Sequence, residues 1–229
     1  MIPKIIHQVW SEKTGPLPDF LKEWSQTWKT FNPDWKYEYW NNERMDAFIK
    51  DYFPEYTDIY YQFKYDIQRW DAIRYLILWK MGGMYVDFDY ECLEPIEDLL
   101  CKECCFSMES HTNPEFKDIP HFNNALMACS QNNPFMLKII EEVFSGKKCK
   151  YPESDKFYHV LASTGPLVLA NTYDKYEHKE DVYLIPAELV SPFNIEEIRL
   201  IMSGYTNEFF ENKLQKAKAI HYFLGNWKK

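Results

Sequence analysis

A basic charge excess is missing from this sequence. Its formal net charge is −9 at pH 7, whereas proteins that bind nucleic acid rely on a basic surface to neutralise phosphates. We therefore expect no nucleic-acid partner. Two short lysine clusters, Lys147-Lys148-Cys149-Lys150 and Lys228-Lys229, leave two interpretations open. Solvated surface lysine is the commoner case for clusters this short, and peripheral contact with an anionic membrane is the alternative.

Long apolar runs and an export signal are missing as well. No stretch approaches the about 18 apolar residues of a membrane-spanning helix. The N-terminal MIPKIIHQVW continues into Ser11-Glu12-Lys13 without a cleavage site. These absences predict a cytoplasmic protein with reduced thiols. The cysteine cluster CKECC lacks a second ligand pair at zinc-binding spacing, so we expect no metal there.

Repeats and low-complexity linkers are absent too, and 46% of the residues are hydrophobic. The chain can therefore offset its ordering entropy by burial, and we expect one α/β domain over residues 1–229. Alternating or continuous apolar runs predict strands at 4–10, 35–40, 84–89, 181–189 and 219–223. Helical spacing of apolar residues predicts helices at 20–31, 42–52, 65–81 and 134–144.

The stretch GGMYVDFDYE places Asp87 and Asp89 at the end of one of these strands. Alternate strand residues share a face, so the two carboxylates point together and repel unless a positive group lies beside them. A divalent cation such as Mg²⁺ or Mn²⁺ suits such oxygen ligands. Ligands of α/β folds also bind beyond the carboxyl ends of strands. The alternative is that the acids only cap the following turn.

The preceding helix carries a second pair of charges. Asp71 and Arg74 are neighbours on one helix face and lie among apolar residues. Such charges are usually paired or functional, and an arginine held by an aspartate can still present donors to a substrate. Tyr85 faces the side of the acids and is either a ligand contact or a core residue.

Two segments together resemble a known family. IPKIIHQVW at the N-terminus and WDAIRYLILWKMGGMYVDFD at 70–89 look like glycosyltransferase family 32, a group of DXD-containing sugar transferases distantly similar to the large clostridial glucosylating toxins. STGP at 163–166 and HYFLGNW at 221–227 also look like family landmarks. The resemblance implies a GT-A fold with a mixed central sheet flanked by helices. It also implies a nucleotide-sugar donor, Mn²⁺ or Mg²⁺, and retention of anomeric configuration.

The resemblance assigns roles residue by residue. Asp71 and Arg74 would hold the donor sugar and its phosphate, Asp87 would contact ribose and sugar or a metal-bound water, and Asp89 would bind the metal. His221 would be a late metal ligand, with an ordinary core histidine as the alternative. The residues that would line the nucleotide or sugar pocket are Ile6, His7, Gln8, Trp10, Tyr85 and Trp227. The Gly225-Asn226 pair before Trp227 departs from the family pattern.

The expected activity is therefore hexose transfer from UDP-hexose, or from GDP-mannose, to a glycan or lipid-linked glycan in surface or capsular polysaccharide synthesis. The developing charge on the leaving diphosphate needs stabilisation, which a metal and Arg74 would supply. No carboxylate stands out as a nucleophile, so we favour attack from the face of the leaving group. A catalytically inactive carbohydrate-binding module of the same fold is the alternative. A haloacid-dehalogenase-like phosphatase is disfavoured because Tyr90-Glu91 follows the second acid.

Overall fold

The computed structural model of the chain describes residues 1–110 and 121–225. Its strands are β1 (Ile5–Val9), β2 (Lys36–Trp40), β3 (Gly83–Val86), β4 (Tyr90–Cys92), β5 (Cys104–Met108), β6 (Phe122–Cys129), β7 (Val182–Ile185) and β8 (Ala219–His221). Six of them form one mixed sheet in the order β2-β1-β3-β6-β5-β7. Strands β4 and β8 form a separate antiparallel pair.

The helices lie on both faces of the sheet. They are α1 (Asp19–Phe31), α2 (Asn42–Tyr52), α3 (Thr57–Gln62), α4 (Asp66–Met81), α5 (Pro134–Val143), α6 (Lys156–Ser163), α7 (Pro166–Lys175), α8 (Ala187–Val190), α9 (Ile195–Met202) and α10 (Glu208–Leu214). Alternate strand residues feed two cores: Tyr85 and Met127 pack with α2, α4 and α5, whereas Met84 and Leu126 pack with Trp28 of α1. This confirms an α/β fold with a mixed sheet flanked by helices. None of the helices in the described part of the chain has the length and apolarity needed to span a bilayer.

The glycine pair at 82–83 joins α4 to β3, as predicted. Both glycines have positive φ, a backbone region that residues with a Cβ rarely adopt. A Cβ on Gly83 would lie 2.6 Å from the carbonyl oxygen of Ile5. Glycine at this position therefore lets β3 pair closely with β1.

Three chain segments meet at one edge of the sheet. Strands β1 and β3 are parallel, so their carboxyl ends lie side by side, and β6 is antiparallel to β3 and begins at the same edge. The backbone N–H of Asp87 donates to the carbonyl of Ala125 at 2.7 Å. The residues after β1 and β3 and the first residues of β6 are therefore brought together.

Some local predictions were wrong. Strand β3 ends at Val86, and Asp87 to Asp89 form a turn closed by a 3.2 Å hydrogen bond from the Tyr90 amide to the Asp87 carbonyl. The chain then leaves the main sheet, because β4 pairs with β8. After Pro186, the predicted strand at 181–189 gives way to α8. Strands β4, β5 and β6 and helices α3, α6, α7, α9 and α10 were not predicted.

Candidate active site

Helix α4 carries a buried ion pair. Asp71 and Arg74 are only 5% and 4% exposed, and Arg74 Nη2 lies 3.2 Å from Asp71 Oδ1. The other terminal nitrogen, Nη1, lies 3.3 Å from Asp87 Oδ1 and donates to the carbonyl of Asn124 at 2.9 Å. Burial opposes the charge of Arg74, but Asp87, Tyr85 and Asp71 outweigh it and raise its pKa. The predicted Asp71–Arg74 pair is confirmed, and its arginine also bridges to the loop after β3.

The carboxylate of Asp71 is held from three sides. Besides Arg74, it accepts hydrogen bonds from Asn124 Nδ2 at 3.0 Å and from Thr164 Oγ1 at 3.1 Å. Thr164 follows α6 and belongs to the STGP segment, which is thereby tied to α4. Burial raises the pKa of Asp71 to about 6, although Arg74 opposes this shift. The side chain is a fixed, buried acid rather than a mobile surface group.

Asp87 lies between Arg74 and Tyr85. The hydroxyl of the buried Tyr85 donates to Asp87 Oδ1 and so orients this carboxylate. The Tyr85 ring lies in the core, and the guanidinium carbon of Arg74 is 4.6 Å from the ring centroid. Burial raises the pKa of Asp87, Arg74 lowers it, and the neighbouring Asp89 raises it again.

Asp89 faces His221, which arrives at the site on β8. His221 Nε2 lies 3.5 Å from Asp89 Oδ1, and the backbone N–H of Leu224 donates to Asp89 Oδ2 at 2.9 Å. Burial opposes ionisation of Asp89, but His221 and the Leu224 amide lower its pKa overall. Burial alone would lower the pKa of His221, because it disfavours the charged imidazolium. Asp89 and Glu109 outweigh burial and raise this pKa to about 10. The two neighbouring acids therefore each have a positive partner: Arg74 for Asp87 and His221 for Asp89.

Two of the residues predicted to line a nucleotide pocket are core residues. Ile6 is buried among apolar side chains. His7 is fully buried, with Nε2 2.9 Å from the Gly82 carbonyl and Nδ1 accepting from Trp40 Nε1 at 3.1 Å. Burial lowers the pKa of His7 to about 4. Neither side chain can reach a ligand without displacing this packing.

Gln8 in β1 and Trp10 just after it were also predicted to line the pocket, and they differ in exposure. Gln8 is buried, and its Oε1 accepts hydrogen bonds from Ser25 at 2.6 Å and Tyr37 at 2.8 Å. Trp10 keeps exposed surface, and its indole N–H donates to the Gly15 carbonyl at 3.0 Å. A direct nucleotide contact thus stays a prediction for Trp10. Trp227, also predicted to approach the donor, lies outside the described residues.

Sequence reasoning missed Glu109. This acid directly follows β5, and its Oε1 lies 3.6 Å from His221 Nδ1. An acid at the end of a buried strand was the available signal, but β5 itself was not predicted. The sequence also gives no sign that Asn124 and Thr164 meet Asp71, whereas the structure bonds both to it.

The donor set fits a divalent cation. Within residues 1–110 and 121–225, no three His, Cys, Asp or Glu side chains already surround one point. Mg²⁺ in nucleotide sites needs fewer protein ligands, because waters and phosphates fill the remaining positions. The 3.5 Å between Asp89 Oδ1 and His221 Nε2 is close to the about 3 Å between adjacent ligands of an octahedral ion. Carboxylate ligands such as Asp89 suit Mn²⁺ as well as Mg²⁺.

The part of the chain that carries most of these residues matches a known family model. Residues 18–106 match the family model described as a glycosyltransferase sugar-binding region containing a DXD motif. Residues 18–106 therefore belong to the DXD glycosyltransferase family. The matched region contains Asp71, Arg74, Asp87 and Asp89, whereas His221 lies beyond it.

Two yeast proteins resemble the chain beyond the DXD glycosyltransferase region. Mannosyl phosphorylinositol ceramide synthase CSH1 of Saccharomyces cerevisiae is 33% identical over 177 residues, which cover 77% of this chain and 44% of that protein. Inositol phosphoceramide mannosyltransferase 1 of Schizosaccharomyces pombe is 30% identical over 196 residues, which cover 82% of this chain and 57% of that protein. The chain thus spans about half the length of the curated relatives it matches.

A solved glycosyltransferase shares the fold around the DXD region. The UDP-bound glycosyltransferase domain from the YGT toxin superposes with a TM-score of 0.55 at 12% identity, over 93% of this chain and 88% of that domain. The fold is of the GT-A type, as the family resemblance implied.

Proposed function

We propose that this chain is a metal-dependent, retaining glycosyltransferase that moves a hexose from a nucleotide sugar to an acceptor hydroxyl. The observation that carries the proposal is the meeting of two charged pairs at one sheet edge. Arg74 is fixed between Asp71 and Asp87, and Asp89 faces His221. Four of these five residues lie in the region matched to DXD glycosyltransferases.

The donor is a nucleoside diphosphate sugar in this proposal. The names of both yeast relatives support mannose as the transferred sugar. The toxin domain with the same fold was solved with UDP, which supports a nucleoside diphosphate in this kind of site. GDP-mannose and UDP-hexoses are accordingly the donors to compare first.

Each buried residue has a distinct part in the proposed reaction. Asp89 and His221 would hold the divalent ion, which when bound neutralises charge on the departing diphosphate. Arg74 presents a fixed positive charge that needs no reorganisation as charge develops. Asp71 keeps Arg74 in place and would accept hydrogen bonds from sugar hydroxyls in addition to those from Asn124 and Thr164. Because no carboxylate is assigned as a nucleophile, attack from the face of the leaving phosphate accounts for retention.

The acceptor in this proposal is lipid-linked. The names of the yeast relatives refer to ceramide lipids, which supports a membrane acceptor over the capsular glycan expected from the sequence. The loop before α6 supports the same conclusion, since Lys147, Lys148 and Lys150 are exposed. Phe157 and Tyr158, at the start of α6, are 40% and 46% exposed. Lysine beside exposed aromatic rings suits an anionic membrane surface. A cytoplasmic location stays a prediction.

Incubation of the purified chain with individual nucleotide sugars and Mn²⁺ tests the proposal. We expect slow hydrolysis of one donor to free nucleotide, stopped by chelation and restored by Mn²⁺. Titration calorimetry with the same nucleotides and with glycans distinguishes an inactive carbohydrate-binding module. Glycan binding without nucleotide affinity or donor hydrolysis would overturn the transferase proposal.

A further inference from the structure

The imidazole of His221 lies between two carboxylates, one facing each ring nitrogen. Its Nε2 faces Asp89 at 3.5 Å, and its Nδ1 faces Glu109 Oε1 at 3.6 Å. The divalent ion proposed above would lie at the first contact. Glu109 has no part in that proposal, although it is an acid of low exposure directed at the same ring.

The hydrogen-bonding capacity of the ring gives Glu109 a specific task. A neutral histidine that binds a metal through Nε2 must carry its hydrogen on Nδ1, and that hydrogen needs an acceptor. Asn123 Nδ2 lies 3.3 Å from Nδ1 but is itself a donor. Its orientation is fixed, because Asn123 Oδ1 already accepts from the Ala125 amide. The acceptor for an Nδ1 hydrogen is therefore Glu109.

The surroundings hold both partners in place. The His221 ring stacks on Tyr90, with ring centroids 4.4 Å apart and planes within 5°. Asn123 Nδ2 also donates to the Tyr90 hydroxyl at 3.0 Å, so it keeps a partner when Nδ1 carries hydrogen. The backbone N–H of Glu109 donates to the carbonyl of His121 at 3.0 Å, which continues the pairing of β5 with β6. The ring cannot easily turn away from the line between Glu109 and Asp89.

We propose that Glu109 is a positioning residue that accepts the Nδ1 hydrogen of His221 and so presents Nε2 to the divalent ion. This inference rests on the proposed function, because it needs a metal beside Asp89. Histidine ligands in metal sites commonly donate the hydrogen on their second ring nitrogen in this way. Loss of the acceptor typically weakens metal binding about 10- to 100-fold.

Glu91 provides a matched control for charge. It is an acid on β4 next to the site, but its carboxylate accepts from the Tyr222 hydroxyl at 2.6 Å. Glu91→Ala removes the same negative charge close to the metal site without touching His221. A difference between Glu109→Ala, which also removes the acceptor, and Glu91→Ala therefore measures positioning rather than overall charge.

The test is Mn²⁺ affinity, measured by electron paramagnetic resonance of free Mn²⁺ on the intact chain with nucleoside diphosphate present. We expect Glu109→Ala to weaken Mn²⁺ binding about 10- to 100-fold and Glu91→Ala to change it less than about threefold. Nitrogen-15 NMR of His221 should show hydrogen on Nδ1 in the metal-loaded protein, with the Nδ1 signal shifted in Glu109→Ala. Circular dichroism and urea unfolding establish that each variant is folded.

The outcomes separate the two proposals. If the folded wild type binds no Mn²⁺ with nucleotide, the metal-dependent function and the role of Glu109 both fail. If the wild type binds Mn²⁺ and both variants bind it equally well, only the role of Glu109 is overturned. Equal weakening in both variants also overturns it, since charge alone then explains the effect.

Discussion

The pH dependence of folding stability should distinguish a core role of His7 from a nucleotide-binding role. Both ring nitrogens of His7 have protein partners, and burial lowers its pKa from 6.5 to about 4. The unfolded chain therefore takes up the proton first as the pH falls. Stability present at neutral pH is lost between about pH 6.5 and pH 4.

The magnitude follows from the two pKa values. Linkage between protonation and unfolding gives a loss of about 2.4 kcal/mol between roughly pH 7 and pH 4.5 from this one side chain. Carboxylates also titrate in this range, so the wild type must be compared with a variant that lacks only the imidazole. His7→Gln keeps an amide able to donate to the Gly82 carbonyl and does not titrate.

The assay is urea unfolding of both proteins across that pH range, together with nucleotide affinity at neutral pH. We expect the free energy of unfolding to fall more steeply with acid in the wild type, by about 2 kcal/mol in total. Nucleotide affinity of folded His7→Gln should stay within about threefold of wild type. Parallel pH curves would refute the buried neutral histidine, and a tenfold loss of nucleotide affinity at unchanged stability would restore the pocket role.

Three further outcomes follow from the site and the surface. Arg74→Met leaves Asp71 and Asp87 buried without their cation and should lower the free energy of unfolding by about 3–5 kcal/mol in urea titrations; an unchanged midpoint contradicts the buried network. Because burial raises the pKa of Asp71 to about 6, wild-type kcat/KM should decline as the pH falls below 6, and a profile flat from about pH 7 to 5 would exclude a need for its ionised form. Lys148→Glu combined with Lys150→Glu should reduce flotation with phosphatidylinositol-containing vesicles at least about tenfold, whereas equal flotation removes the support for membrane contact.

Local patterns predicted the elements that carry the DXD region. The apolar stripe of α4, its glycine stop and the strand after it all follow from neighbouring residues. The same reasoning placed Asp87 and Asp89 inside that strand, because alternation continues through Phe88. The strand ends earlier since β4 turns away to pair with β8, more than a hundred residues further along the chain. Pairing over such a distance leaves no local pattern.

The remaining site contacts were also beyond local reasoning. Asp71 meets Thr164, and His221 meets Glu109, through elements widely separated in the chain. Strands β5 and β6 are buried on both faces, with Cys104 and Cys105 packed in different cores, so they show little alternation. The family resemblance supplied His221 as a candidate, and it placed His7 in a pocket because sequence similarity does not reveal which strand residues face the core.

The central claim is that Asp89 holds a metal ion needed for sugar transfer. The measurement is Mn²⁺-dependent hydrolysis of the donor found for the wild type, repeated with Asp89→Ala and with Glu94→Ala, an exposed acid nearby. Loss of a main stabiliser of developing charge predicts a rate about 10²–10³-fold lower for Asp89→Ala and a near-normal rate for the control. Near-normal turnover in folded Asp89→Ala, with unchanged Mn²⁺ dependence, would contradict the assignment.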